Sequence, residues 1–130
     1  MKLYLTISIA SLLVATSPAF AIDVPTSTAK VYSAQQFKEE TTKHYDKMYF
    51  LSEVKLKQQK SNQDKAKVAC IEIPKAIADA IRFNNVNKSL FDEATRIKID
   101  EHNNKLMASN QTMYSKLKCD EAIKHYKLQR

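Results

Sequence analysis

The chain of 130 residues contains no glycine. At the usual frequency of about 7%, residues 22–130 alone would hold roughly seven or eight. Phosphate-binding loops, dinucleotide-binding turns and nucleophile elbows use glycine where the backbone approaches a ligand closely or takes a positive φ. None of these motifs can be present in its standard form, which disfavours most enzyme classes. A helical fold with Asn at its turns is compatible with this composition, because Asn tolerates the left-handed backbone conformation.

Apolar residues recur at steps of three and four over most of the chain, and no strand-like alternation extends beyond a few residues. Ser33 and Gln36 have the spacing of a capping box, and the helical pattern that follows continues to about Gln59. The sequence therefore predicts an all-α fold. We expect a small helical hairpin or bundle of three to four helices, the first of which runs from Ser33 to about Gln59.

The later helices are separated by weaker signals. Residues 61–64 are a polar break or a second helix cap. Pro74 lacks an N–H, so it either starts a new helix over residues 75–83 or kinks a continuous one, and the sequence leaves both possibilities open. Residues 84–87, Asn-Asn-Val-Asn, are predicted to form a loop. A long helix is then predicted to start at Ser89.

The N-terminus has the pattern of a cleavable signal peptide of bacterial type. Lys2 supplies a positive charge, an apolar stretch runs from residue 3 to residue 15, and Ala19-Phe20-Ala21 places small residues on either side of one free position. The apolar stretch is shorter than the roughly 20 residues that cross a bilayer, which argues against a membrane anchor. We therefore expect cleavage after about Ala21 and a periplasmic or secreted protein, with no transmembrane segment in the mature chain.

Cleavage would leave one small domain. Residues 22–32 contain Pro25 and small polar residues without a period, so they are predicted to be a flexible leader, and residues 33–130 a single helical domain. Removing residues 1–21 takes away Lys2 and no acid, which leaves 20 basic and 14 acidic residues and a net charge of +6.

Cys70 and Cys119 are the two cysteines of the chain, and both follow the predicted cleavage point. An even number of cysteines in an exported chain favours a disulfide, and two cysteines allow one intramolecular pairing. The sequence has no Cys-x-x-Cys motif. We therefore predict a structural Cys70–Cys119 disulfide rather than a redox or catalytic thiol. The stretch around Cys119 either extends the long helix or forms a short last one.

The basic residues are unevenly distributed. A first cluster lies within 13 residues that hold the single acid Asp64, and the C-terminus is also rich in lysine. A basic patch attracts an acidic protein, an anionic surface or nucleic acid, and export argues against intracellular nucleic acid. We predict a partner-binding patch formed by the first cluster, which consists of Lys55, Lys57, Lys60, Lys65 and Lys67.

The remaining candidate groups favour structural roles. His44, His102 and His125 are far apart in sequence and have no metal-ligand spacing, and the paired acids lie in lysine-rich helical stretches. We therefore expect no catalytic residue, metal site or cofactor. Asn87 and Asn110 begin glycosylation sequons, whose use the sequence leaves open together with the source kingdom and the oligomeric state.

Binding rather than catalysis is the function that these features favour. The leading hypothesis is a small accessory protein that docks a cell-envelope assembly, such as a secretion or conjugation apparatus, through one helical face and its basic patch. The alternative is a periplasmic stress chaperone or a lipid-binding helical module. A hydrolase is the least favoured class, because it would need a cleft that brings histidine and acid together.

Overall fold

The computed structural model describes residues 30–130. Over this range the chain forms four helices and no strand, which confirms the predicted all-α fold. The predicted signal peptide, residues 1–21, lies outside the described residues. So does the predicted leader, except for residues 30–32.

Helix α1 spans residues 34–58 and confirms the first predicted helix. It begins as an α-helix over Ala34–Tyr49, continues as a π-helical segment over Phe50–Lys55 and ends with Leu56–Gln58. In the π-helical segment the backbone hydrogen bonds reach back five residues, as Leu56 N donates to Leu51 O.

The start of α1 is capped as the sequence predicted, with one change of partner. The Ser33 hydroxyl accepts a hydrogen bond from the Gln36 N–H, at 3.1 Å. The Gln36 side chain reaches back to the N–H of Tyr32, at 2.8 Å, rather than to that of Ser33. The first bond satisfies a backbone donor that the first helical turn leaves free, and the second ties down the chain just before the helix.

Helix α2 spans residues 62–87 and passes through Pro74 without a break. Its segments are Asn62–Lys67, the π-helical Val68–Glu72 and Ile73–Asn87. A proline in a regular α-helix removes one hydrogen bond, and its ring clashes with the carbonyl four residues earlier. The π-helical segment directly before Pro74 widens that turn and makes room for the ring. Of the two arrangements that the sequence left open, the structure has the continuous helix.

The predictions for residues 61–64 and for residues 84–87 have different outcomes. Ser61 caps α2, its hydroxyl accepting from Asp64 N at 3.0 Å. The predicted loop over residues 84–87 is wrong, because these residues form the last turn of α2. Their amide side chains bond to other parts of the fold rather than bending their own backbone: Asn84 Nδ2, for example, donates to Asn103 Oδ1 at 2.9 Å.

The second half of the chain holds a long helix and a short one. A 3₁₀ turn over Lys88–Leu90 precedes α3, which spans Glu93–Lys116 and is capped by the Asp92 carboxylate. The predicted start at Ser89 is therefore four residues too early. Helix α4, Cys119–Tyr126, is a separate element.

Left-handed lysines end both α3 and α4. Lys118 has φ 51° and ψ 50°, and Lys127 has φ 52° and ψ 46°. After α4, Leu128 N donates to Ile123 O at 3.0 Å, the backbone bond typical of a left-handed helix end. Glycine is the usual residue at such positions. In this glycine-free chain the left-handed residues are lysines, whereas the asparagines of residues 84–87, which were expected to take this conformation, are helical.

Contacts between distant residues show that the first three helices are antiparallel neighbours. Phe37 at the start of α1 stacks on Phe83 near the end of α2, with ring centroids 5.5 Å apart. At the other end, Lys55 of α1 pairs with Glu72 of α2. Helix α3 then runs back along α2, because Asn103 bonds Asn84 and the chain beyond α3 reaches Cys70.

The core consists of three apolar clusters. The largest joins α1, α2 and α3; its buried residues are Tyr45, Met48, Leu51, Val68, Ile73, Ala76, Ile77, Ala80 and Leu106. A second cluster, around Phe37 and Phe83, includes Ile99 and Val31, so one residue of the predicted leader, Val31, is packed against the domain. The third surrounds the disulfide and includes Ala69, with Leu56, Tyr114 and Ile123 packed against it.

The predicted disulfide between Cys70 and Cys119 is present. It joins residues 49 positions apart, and both half-cystines are buried. It ties the start of α4 to the π-helical segment of α2, and α4 packs against residues 62–67 at the beginning of α2.

We predict that Lys118→Gly stabilises the protein. A left-handed conformation costs an L-amino acid roughly 1–2 kcal/mol, and glycine avoids this cost but loses more backbone entropy on folding. The free energy of unfolding, measured by urea denaturation, should rise by about 0.5–1 kcal/mol. Lys118→Ala removes the same charge and keeps the Cβ atom, so it should not stabilise. Equal stabilisation by both variants would attribute the effect to charge and contradict the backbone explanation.

Candidate functional site

The two lysine-rich parts of the sequence meet at one end of the bundle. The turn between α1 and α2 lies at this end, and so do the end of α3 and the whole of α4. Helix α4 contacts the segment Asn62–Lys67, which carries part of the first lysine cluster. The disulfide holds the two segments together.

Two of the five lysines predicted to form the patch are paired with acids. Lys55 is half-buried, and its Nζ lies 2.6 Å from Glu72 Oε1. Lys57 is exposed and its Nζ lies 2.7 Å from Glu53 Oε2, one helical turn away. This hydrogen bond raises the pKa of the Lys57 ammonium and lowers that of the Glu53 carboxyl. The two lysines contribute little net charge to an external partner.

The other three predicted lysines point their charge to solvent. Lys60, Lys65 and Lys67 are exposed, and within residues 30–130 no carboxylate lies within salt-bridge distance of them.

The structure adds the C-terminal lysines to the same end. Four of them are exposed and form no salt bridge with any described carboxylate. Arg130 differs, because its guanidinium bonds Asp120 and the Tyr114 hydroxyl, each at 3.2 Å. We call the exposed lysines of this end that form no salt bridge with a described carboxylate the basic pole; it comprises Lys60, Lys65, Lys67, Lys116, Lys118, Lys124 and Lys127.

The basic pole also carries apolar surface. Leu117 lies between Lys116 and Lys118 and is 47% exposed. A shallow groove of about 380 Å³ runs beside it along α4, lined by Leu117, Lys118, Glu121, Ala122, His125 and Tyr126. Lysines around an exposed leucine at a helix junction form a surface that is both cationic and amphipathic.

A layer of buried polar side chains crosses the bundle. In α1 and α3 these residues lie between those of the two larger apolar clusters, as Thr41 and His44 follow Phe37, and His102 and Asn103 follow Ile99. Each of the six side chains is at most 5% exposed. We call five of them the polar layer: Thr41, His44, Asn84, His102 and Asn103. The sixth, Asn87, lies one turn beyond Phe83 and bonds Phe83 O and Val31 N.

The asparagines of the polar layer are hydrogen-bonded, and its histidines are not fully so. Asn103 bonds both Asn84 and Asn85 across the α2–α3 contact. Among the described residues, neither ring nitrogen of His102 has a hydrogen-bond partner. His44 Nε2 also has none. A buried polar atom without a partner loses its hydration and gains nothing in return.

Burial keeps both histidines of the polar layer uncharged at neutral pH. Desolvation lowers the pKa of His44 to about 4, against the weaker opposing effects of Asp79 and Glu40. Desolvation, together with a smaller effect of Lys105, likewise lowers the pKa of His102 to about 4. The rings pack on aromatic neighbours: His44 lies 5.1 Å from Phe83, and His102 lies 5.4 Å from Tyr45, between ring centroids.

The other groups that the sequence singled out are dispersed. His125 is exposed on α4 and packs edge-on against Tyr126. No three His, Cys, Asp or Glu side chains within residues 30–130 are grouped so that they could hold a metal ion.

The first sequon lies in a place where the folded chain cannot be glycosylated. Asn87 is 2% exposed, its Nδ2 donates to Phe83 O and its Oδ1 accepts from Val31 N. Asn110, in the second sequon, is half-buried in the middle of α3.

A second groove, of about 530 Å³, lies between α2 and α3 away from α1. Its apolar lining includes Ile77, Ile81, Val86 and the exposed Met107. Arg82, Asn85 and Asn110 supply its polar edge.

No helix in the described part of the chain is long and apolar enough to cross a membrane. Comparison with known proteins gives no match to a family, to a curated protein or to a solved structure. The function is therefore inferred from the basic pole and the polar layer themselves.

We predict that acid destabilises the fold through His44 and His102. Because the folded state holds both pKa values near 4, the unfolded state binds more protons between pH 6.5 and pH 4. The two uncharged histidines therefore contribute their full stabilisation of the folded state above about pH 6.5, and this contribution is lost as the pH falls toward about 4. Between pH 7.5 and pH 5 the loss should be about 2 kcal/mol for each histidine.

Urea unfolding at a series of pH values measures this effect. His44→Gln and His102→Gln should each flatten the dependence of unfolding free energy on pH, whereas His125→Gln, at an exposed position, should leave its slope unchanged. An equally steep slope in the two buried variants would show that other groups cause the acid sensitivity.

Proposed function

We propose that this protein is an exported accessory protein that docks an acidic surface of a cell-envelope assembly through its basic pole. The observation that carries the proposal is the convergence of two lysine clusters, far apart in sequence, on one end of the bundle. The N-terminal signal pattern supports export, and a disulfide is typical of oxidising compartments such as the periplasm.

The charge distribution favours docking in one orientation. The basic pole holds seven exposed lysines without a salt bridge, next to the exposed acids Asp64 and Glu121. The opposite end of α3 carries acids in its first turns, including Asp92, Glu93, Asp100 and Glu101. The acids of this second end are accompanied by Arg96 and Lys98, and Asp100 is paired with Lys88, so an acidic partner is attracted mainly by the basic pole, which accelerates and orients association.

Binding also fits the chemistry of the rest of the chain better than catalysis does. The two cysteines are joined in a buried disulfide, and the two buried histidines pack on the rings of Phe83 and Tyr45. The exposed surface at the basic pole offers charge and a leucine, which suit association rather than bond chemistry.

We predict that the triple variant Lys60→Glu, Lys65→Glu, Lys67→Glu loses the partner. Crosslinking of the exported protein in its native envelope, followed by mass spectrometry, should recover the partner with the natural chain and at least tenfold less of it with the variant. Lys55 and Lys57 are left unchanged, because reversing them would break their pairs with Glu72 and Glu53.

A matched variant controls for net charge. Lys30, Arg96 and Lys98 are exposed and distant from the basic pole, so reversing them changes the charge equally and should retain the partner. Equal loss in both variants would indicate a general charge effect, and equal recovery in both would exclude the basic pole as the docking site.

A stress chaperone is the second candidate, and the polar layer is the observation that favours it. Charging His44 and His102 inside the bundle would loosen the contacts of α1 and α3 with α2 and expose core residues. The groove between α2 and α3 already presents Met107 and Val86 at neutral pH.

For this second candidate, we predict that fluorescence of a polarity-sensitive dye rises as the pH is lowered from about 7 to about 4.5. The double variant His44→Gln, His102→Gln should show a smaller rise than the natural chain, and His125→Gln the same rise. Dye fluorescence that stays constant across this pH range would exclude the chaperone function.

A further inference from the structure

We propose that the basic pole docks on the headgroup layer of an anionic phospholipid bilayer, with Leu117 inserted among the lipids. This inference rests on the proposed function and names the acidic surface that the same site recognises. It is carried by three features of the pole: its position at one end of the bundle, the fact that its cations are all lysines, and the exposed leucine that lies between two of them in the chain.

The pole presents charge from the end of the bundle rather than from a single helix. Lys60 lies in the turn between α1 and α2, Lys65 lies in the first turns of α2, and Lys124 and Lys127 lie in and after α4. Because α4 packs on Asn62–Lys67, these cations belong to elements that are in contact with each other. A broad cationic end can approach an extended surface and contact many phosphates at once.

The kind of cation favours a bilayer surface over a closely packed protein interface. All seven charges of the pole are lysines, and the one arginine nearby, Arg130, is engaged by Asp120 and Tyr114. Lysine is depleted at the cores of protein interfaces, where arginine and aromatic residues dominate. A flexible ammonium is a point charge that suits a fluid array of phosphates, whereas arginine suits fixed bidentate partners.

Leu117 adds the apolar contribution that peripheral membrane proteins need. It is 47% exposed between Lys116 and Lys118, where the left-handed Lys118 turns the chain from α3 into α4. Tyr126 lines the groove beside it, and tyrosine is favoured at the level of lipid headgroups. Lysine stems can bury their methylenes around an inserted leucine while their ammonium groups remain among the phosphates.

Vesicle sedimentation tests the proposal with the exported form of the full chain. The probes are vesicles of phosphatidylcholine alone and vesicles in which about a third of the lipid is phosphatidylglycerol. We expect binding to the anionic vesicles at roughly 0.05 M salt, weak binding at roughly 0.5 M salt and weak binding to phosphatidylcholine. Absence of binding to anionic vesicles at low salt would overturn the proposal.

Two pairs of variants locate the contact. Replacing Lys60, Lys65 and Lys67 with Gln should weaken vesicle binding about a hundredfold, and replacing Lys30, Arg96 and Lys98 with Gln should change it severalfold at most. Leu117→Ser should weaken it about fivefold, whereas Ile97→Ser, on the same helix and 52% exposed, should have no effect. Binding that is equally sensitive to test and control variants would refute the assigned surface.

The experiment separates this inference from the function on which it rests. If the chain crosslinks to an acidic envelope protein through its basic pole but ignores anionic vesicles, the bilayer inference fails and the docking function stands. If substitution of Lys60, Lys65 and Lys67 reduces neither recovery of the crosslinked partner nor binding to anionic vesicles, the docking function and the bilayer inference both fail.

Discussion

The disulfide between Cys70 and Cys119 is the constraint on which the arrangement of the helices at the basic pole depends. Helix α4 has eight residues, too few to be stable as a helix by itself in water. The bridge fixes its first residue against α2 and closes a separation of 49 residues, for which chain-entropy arguments give about 4 kcal/mol of stabilisation. Cys70 lies in the π-helical segment before Pro74, so one widened turn both accommodates the proline and carries the bridge.

The stabilising and destabilising features lie in different parts of the bundle. The bridge and the largest apolar cluster hold the part near the basic pole, and the polar layer separates that cluster from the one around Phe37 and Phe83. Burial of His102 makes this layer costly, because neither of its ring nitrogens has a hydrogen-bond partner among residues 30–130. Protonation therefore acts at the polar layer, whereas the bridge keeps the helices at the basic pole together.

Sequence periodicity was sufficient for the fold class, for the limits of α1 and, with the cysteine count, for the disulfide. It failed where side chains bond to distant partners. Asn84 and Asn87 have the local preferences of loop residues, but Asn103 and Val31 supply their partners from 19 and 56 positions away. The left-handed positions were missed for a related reason: backbone bonds at helix ends select Lys118 and Lys127, and nothing in a lysine indicates this conformation.

The lysines of the basic pole were visible in the sequence, but the pole itself was not. Lys55 is not part of the pole because it pairs with Glu72. This pairing joins two helices, so residue spacing along one helix cannot predict it. Lys124 and Lys127 join it because α4 folds back on the start of α2, and that packing requires the bridge. In a reduced chain α4 would lose its anchor and the C-terminal cations would separate from Lys65 and Lys67. Oxidation of the two cysteines, which the proposed export would provide, is thus a condition for assembling the basic pole as well as for stabilising the fold.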